Sequence, residues 1–139
     1  MSANHEPTIT GVDVLADLYA AFARRDLETI RAAIHPDFVM TQSDLLPWGG
    51  VHRGADGFFA FLGTLLSYTE PTVEIGDLYD SGDHIVQVGH TTGTVRATGT
   101  AYRVREVHIW RLHEGRPITY DVHIDTAAML AALRGESVA

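Results

Sequence analysis

Residues 102–125 read Tyr-Arg-Val-Arg-Glu-Val-His-Ile-Trp-Arg-Leu-His-Glu-Gly-Arg-Pro-Ile-Thr-Tyr-Asp-Val-His-Ile-Asp. Two alternating runs flank His113-Glu114-Gly115, and a period of two marks strands with one face buried. The stretch is therefore a β-hairpin. With Gly115 in the left-handed position of a three-residue turn, Leu112 faces Arg116, Trp110 pairs with Ile118, His108 with Tyr120, Glu106 with Val122 and Val104 with Ile124. One face is then apolar except for Glu106 and His108. The other carries Arg105 opposite His123 and Arg103 opposite Asp125, charge pairs suited to an exposed or subunit-contact surface. A two-residue turn at Glu114-Gly115 would set Glu106 against His123 and His108 against Asp121 and mismatch the apolar set, so the three-residue turn is expected.

Upstream of the hairpin, Val73, Ile75, Asp77 and Tyr79 alternate, Asp80 to Asp83 turns the chain, and a strand runs from His84 to Arg96 before a turn at Ala97 to Thr100. His90 falls on the face of Val86 and Val88 and reads as a core residue. Further back the period is helical. Val12, Leu15, Leu18, Tyr19 and Phe22 share one face of a helix over 11–24, and Asp26 caps a second helix ended by His35-Pro36. Phe38 to Met40 is a short strand, residues 43–54 form a loop at a binding mouth, and Phe58, Phe61, Leu62 and Leu65 mark a third helix stopping between Ser67 and Pro71. After the hairpin, Asp125 caps a closing helix through Ala127, Met129, Leu130 and Leu133. Helices followed by an antiparallel meander give an α+β fold with helices on one face of a curved sheet. Residues 1–10 are expected to be a flexible N-terminal segment, 11–135 a single domain and 136–139 a tail.

Composition excludes many functions. A chain of 139 residues is one domain, and 45% hydrophobic with 20% charged residues is ordinary for a globular protein. The net charge is −8 and the ten basic residues are scattered arginines, which disfavours nucleic acid and anionic membranes as partners. Lysine is absent, removing Schiff-base chemistry and a P-loop lysine; cysteine is absent, removing disulfides, thiolate nucleophiles and sulfur-ligated zinc. The eight histidines show no His-x-x-x-His helical spacing, and no metal or other cofactor is expected. No apolar run approaches ~18 residues and no signal peptide is visible, so a cytoplasmic protein is expected.

The chemistry-bearing candidates lie on the inward face of the hairpin. Glu106 and His108 occupy alternate positions of one strand, with side chains roughly 7 Å apart in an apolar wall, an arrangement suited to proton abstraction and return. Val104, Trp110, Val122 and Ile124 would line the pocket beside them, and Tyr19 would donate a hydrogen bond from the first helix. Trp48 and His52, in the rim loop, would gate or stack on a flat ligand.

Several stretches together resemble the nuclear transport factor 2-like superfamily and, more narrowly, SnoaL-like proteins. They are Ala20 to Met40 with Arg25-Asp26-Leu27 and His35-Pro36-Asp37-Phe38, Gly49-Gly50-Val51-His52-Arg53-Gly54, His108-Ile109-Trp110-Arg111 with Gly115, and Asp125-Thr126. The resemblance covers most of the chain. It implies a conical, curved antiparallel sheet packed on N-terminal helices around an apolar pocket, in a superfamily of ketosteroid isomerases, polyketide cyclases, limonene epoxide hydrolases, dehydratases and non-catalytic binding domains. By position, it places His108 where isomerases have an acidic oxyanion-stabilising group and SnoaL-type cyclases a pocket histidine. It also places Val122 where cyclases and epoxide hydrolases carry an aspartate, Gly89 and Thr91 at the epoxide-hydrolase arginine and aspartate, and Gln42 near the isomerase base. Those mechanisms do not carry over, so an acid–base pair here is the chain's own.

The expected function is a cofactor-independent isomerase, cyclase or dehydratase acting on a small apolar oxygenated molecule, such as a polyketide, aromatic or terpenoid compound. The alternative is a non-catalytic ligand-binding or dimerisation module. A homodimer is expected in either case, because Val107 and Ile109 face outward beside Arg103, Arg105 and Arg111.

Overall fold

A computed structural model describes residues 10–137, so most of the expected N-terminal segment and the end of the expected tail lie outside the described residues. The elements in chain order are α1 (Gly11–Ala23), α2 (Leu27–Ala33), β1 (Val39–Gln42), β2 (Gly50–Arg53), α3 (Gly54–Tyr68), β3 (Thr69–Asp80), β4 (Ile85–Val95), β5 (Ala101–His113), β6 (Arg116–Ile124) and α4 (Thr126–Leu133). The strands form one curved, unclosed sheet in the order β2-β1-β6-β5-β4-β3. Neighbours are antiparallel except β1 and β6, which run parallel.

The helix ends follow side-chain chemistry. Thr10 and Asp13 bond each other's backbone N–H as a capping box, and Asp26 and Asp125 accept the N–H groups of Thr29 and Ala128. The carbonyls left at the end of α2 go to one side chain, the guanidinium of Arg116, which donates to Ala32, Ala33 and Ile34. The helices bury Leu15, Leu18, Ile30, Phe58, Phe61 and Met129 in one core with Met40, Val104 and Trp110 of the sheet and Phe38 just ahead of β1.

Three groups of readings need correction, on strand bounds, on the surroundings of His90 and Arg103, and on the hairpin. Residues 50–53, taken as part of a loop, are a strand paired with β1, and Pro71 lies inside β3 rather than ahead of it. Proline is tolerated there because β3 is an edge strand. His90 is not a core residue: it lies half-buried beside Arg103, whose Nη2 is 3.2 Å from its Nδ1. Arg103 meets Glu74 at 3.1 Å instead of Asp125, which caps α4.

The third correction concerns the hairpin. His113 pairs with Arg116 and Leu112 with Pro117, so the turn is the two-residue one, with Glu114 and Gly115 both at positive φ of 52° and 76°. Between Arg111 and Leu112 the ladder slips by one, because Arg111 faces Thr119 and Ile118 is the extra residue of a bulge. The bulge restores the inward parity that the turn alone would have lost. Trp110 consequently pairs with Tyr120, His108 with Val122 and Glu106 with Ile124, each two residues from the expected partner and so on the expected face.

Candidate functional site

Alternation along β5 buries Val104, Glu106, His108 and Trp110 on the concave face, while Arg103, Arg105 and Arg111 stay exposed. Both ionisable residues are almost completely buried, with 3% exposure each. A charge so placed must be hydrogen-bonded to be tolerated, and the neighbouring elements supply the partners. Register places Gln87 of β4 on one side of His108 and Val122 of β6 on the other. Tyr19 reaches the same point from α1, one residue beyond buried Leu18.

The side chains form a continuous chain of hydrogen bonds. Trp110 Nε1–H donates to the Tyr19 hydroxyl at 2.9 Å, and Tyr19 Oη lies 2.7 Å from His108 Nδ1. On the other edge of the imidazole, Nε2 is 3.2 Å from Glu106 Oε1. Gln87 Nε2 donates to the second carboxylate oxygen, Oε2, at 2.7 Å. Glu106 and His108 are thus in contact rather than roughly 7 Å apart, because both long side chains lean along the strand. Since the indole can only donate, Tyr19 accepts from it and has its own proton and a second lone pair for Nδ1. Tyr120 closes the site, its ring perpendicular to His108 with centroids 5.1 Å apart and stacked on Trp110 at 3.8 Å. Its hydroxyl makes only long approaches to the imidazole nitrogens, 3.3 and 3.4 Å.

The tyrosines are held in their neutral form. Burial pushes the Tyr19 hydroxyl above its ordinary value and the Glu106 charge adds to the rise, while hydrogen bonds from Trp110 and Gln87 partly offset it. Burial also raises Tyr120 well above its ordinary value, reinforced by Tyr19 and then Glu106. Tyr102 is also raised by burial, with hydrogen bonds to Thr69 and Thr91 opposing. The site therefore offers hydroxyl donors around a carboxylate whose two oxygens both accept hydrogen bonds.

These groups border a cavity of about 90 Å³. That is room for several waters or a small molecule. Its wall is apolar for the most part, built from Leu18 and Phe22 of α1, Phe58, Phe61, Leu62 and Leu65 of α3, and Met129 of α4. Of the residues singled out in the sequence, Tyr19, Trp48, Glu106, His108, Trp110, Val122 and Ile124 meet on this wall. Val104 is buried on the same face of β5 but does not reach the cavity. His52 lies off it as well. The His52 ring packs on Phe61, and its Nε2 sits 3.1 Å from the carbonyls of both Trp48 and Gly49, tying the loop together. Trp48 is wall rather than rim, 3% exposed with its ring edge toward Tyr68.

Two members of the site escaped the sequence reading. Gln87 is buried completely, but Val86 and Val88 on either side made the opposite face of β4 look like the inner one. The outer face is itself apolar there, where Val86 pairs with Ile109 and Val88 with Val107. Tyr120 lay on the expected inward face without being singled out as a site residue. Among the described residues no group of three His, Asp or Glu side chains is placed to hold a metal ion, and no helix is long and apolar enough to cross a membrane.

Residues 15–120 match the family model of the SnoaL-like domain. Solved structures extend the likeness. An NTF2-like protein of unknown function from Burkholderia pseudomallei K96243 is 31% identical with a TM-score of 0.83, over 88% of this chain and 96% of that one. An NTF2-like protein from Burkholderia thailandensis E264 is 30% identical with a TM-score of 0.83, over 89% and 97%. IdmH from Streptomyces antibioticus, a proposed polyketide cyclase, is 25% identical with a TM-score of 0.74, over 90% and 99%. No curated protein sequence matches the chain significantly.

Proposed function

This chain belongs to the SnoaL-like family, and we propose that it is a cofactor-independent acid–base enzyme, of isomerase, cyclase or dehydratase type, acting on a small, largely apolar, oxygenated molecule. The observation that carries the reading is a buried carboxylate bonded to an imidazole, Glu106 to His108 at 3.2 Å, on the wall of an apolar cavity. Glu106 is the proton acceptor. It takes a proton from a carbon next to a ligand carbonyl, the C–H electron pair becomes a carbon–carbon double bond, and the carbonyl π pair moves onto oxygen. Where the ligand also carries a β,γ double bond, return of the proton from the Glu106 carboxyl to the γ carbon lets the oxyanion pair re-form the carbonyl and moves the double bond into conjugation, an isomerisation with no other reactant. The Tyr120 hydroxyl, with only long approaches to the imidazole, is the group to meet the developing oxyanion. IdmH, a proposed polyketide cyclase, supports the ligand class through the shared fold.

The test is exchange of solvent deuterium into a panel of small aryl and cyclic ketones, followed by mass spectrometry. Glu106→Gln and His108→Ala are each expected to slow exchange by about a hundredfold or more, the usual scale of general acid–base help. No exchange above background across the panel, or equal rates in both variants, overturns the proposal.

A second reading, a non-catalytic binding module, is favoured by one observation: among the described residues no buried side-chain polar atom lacks a partner, so the polar chain is complete without a ligand. Ligand binding without exchange would select it. Under either reading we propose a cytoplasmic homodimer formed through the outer face of the sheet. The half-buried pairs Val86–Ile109 and Val88–Val107 make an apolar patch there that a second copy would cover.

A further inference from the structure

We propose that Gln87 is a positioning residue: it holds His108 Nδ1 as an acceptor, with the single ring proton on Nε2 facing Glu106. Gln87 stands directly across from His108 in the β4–β5 ladder and is fully buried. A primary amide can present either its oxygen or its nitrogen, so its neighbours must settle the orientation. Here β3 settles it. The β3–β4 pairing slips between Ile75 and Asp77, and Gly76, in that bulge, directs its N–H to Gln87 Oε1 at 3.4 Å. Space for this oxygen comes from Gly89, the next inward position on β4, where a Cβ would strike Gln87 Oε1. With the oxygen so held, Nε2 faces Glu106 Oε2 at 2.7 Å and His108 Nδ1 at 3.3 Å. A flipped amide would set oxygen against carboxylate and N–H against the N–H of Gly76, both repulsive.

The consequence falls on Nδ1. A proton there would face the amide N–H of Gln87, donor against donor, and would make the Tyr19 hydroxyl, which already accepts from Trp110, accept a second bond and turn its own proton away from the imidazole. Nδ1 therefore stays an acceptor. The groups facing the imidazole are Tyr19 from α1, Gln87 from β4, Glu106 from β5 and Tyr120 from β6, and Glu106 is the one carboxylate among them. With Nδ1 held as an acceptor, the ring proton lies on Nε2, toward Glu106. This inference rests on reading Glu106 as the proton acceptor, and it assigns the place of the ring proton within the pair.

Long-range proton–nitrogen NMR of the full chain at neutral pH tests it, with the His108 signals assigned by their loss in His108→Ala. The wild-type ring is expected to show a protonated Nε2 and a bare Nδ1. Gln87→Glu leaves one oxygen for Gly76 and turns the atom facing Nδ1 from donor to acceptor, so both ring nitrogens are expected to be protonated. A wild-type ring with its proton on Nδ1, or with both nitrogens protonated, overturns the proposal, as does a folded Gln87→Glu protein whose ring keeps a bare Nδ1. The wild-type spectrum decides by itself should Gln87→Glu not fold. Because this measurement needs no substrate, its failure is separate from a failure of the exchange assay, which bears on the enzyme reading alone.

Discussion

Tyr19 and Tyr120 are both buried tyrosines whose hydroxyls approach the same imidazole, yet removing those hydroxyls should have very different costs. In Tyr19→Phe the indole N–H of Trp110 loses its 2.9 Å acceptor at a site with 2% exposure. A buried donor left unpaired costs about 1–3 kcal/mol. His108 Nδ1 also loses its 2.7 Å partner, but Gln87 and Tyr120 stand 3.3 Å away and partly replace it. That second loss is worth about 0.5–1 kcal/mol, giving a total of about 1.5–4 kcal/mol. Tyr120→Phe removes only approaches of 3.3 and 3.4 Å and keeps the stacked ring on Trp110, so its cost is about 0.5 kcal/mol or less. Urea unfolding with an unchanged m-value is the assay, and the Tyr19→Phe midpoint on heating should fall by roughly 5–15 °C. Adding Trp110→Phe to Tyr19→Phe removes the orphaned donor, and the double-mutant cycle should show a coupling of about 1 kcal/mol or more. Equal costs for the two tyrosines, or no coupling between Tyr19 and Trp110, would refute the hydrogen-bond chain as drawn.

Three further outcomes follow from the same geometry. Burial raises Tyr19, Tyr102 and Tyr120, so the fold favours their neutral forms; the resulting stabilisation is whole below about pH 10, the free tyrosine value, and is lost as pH rises toward the folded values. In an alkaline titration followed near 295 nm, three of the five tyrosines should ionise only as near-ultraviolet circular dichroism collapses, and a full five-tyrosine step in the folded protein would contradict this. Glu114 occupies the left-handed region at φ 52° ahead of Gly115, so Glu114→Asn should raise the unfolding free energy by about 0.5–1 kcal/mol, and an unchanged or lower value counts against the turn assignment. Sedimentation at low micromolar concentration should show twice the 15.2 kDa chain mass, reverting to one chain in Val107→Asp; a wild-type monomer would end the dimer proposal.

The parts of the fold legible in the sequence are those in which one residue pattern meets one environment. The face of α1 carrying Leu15, Leu18 and Tyr19, and the caps at Asp26 and Asp125, are local signals and appear where expected. β2 was not legible, because Gly50 to Arg53 has neither alternation nor length and is a strand only through its pairing with β1. The inward set of β4 misled for a different reason. Val86 and Val88 are apolar on the outer face while Gln87 is polar on the inner one, and a two-letter pattern of apolar and polar residues inverts when an apolar outer face meets a polar site.

The hairpin shows why a wrong local reading still left the site in place. Side chains on a strand alternate, so a slip of one residue turns a face inside out, whereas a slip of two returns it. The two-residue turn contributes one slip relative to the expected pairing, and the extra residue Ile118 contributes the second. Pro117, which has no N–H to give the ladder, sits next to that bulge, and proline inside a strand-like run was the one available sign that the pairing breaks there. Burial selects parity, not partner: Glu106, His108 and Trp110 must point inward together for the apolar faces of β5 and β6 to coincide, and turn and bulge together satisfy that. The price of the slip is a change of neighbours. Tyr120 moves from His108 to Trp110, so its ring stacks on the indole and its hydroxyl meets the imidazole only obliquely, which leaves that hydroxyl as the donor a ligand oxygen can claim.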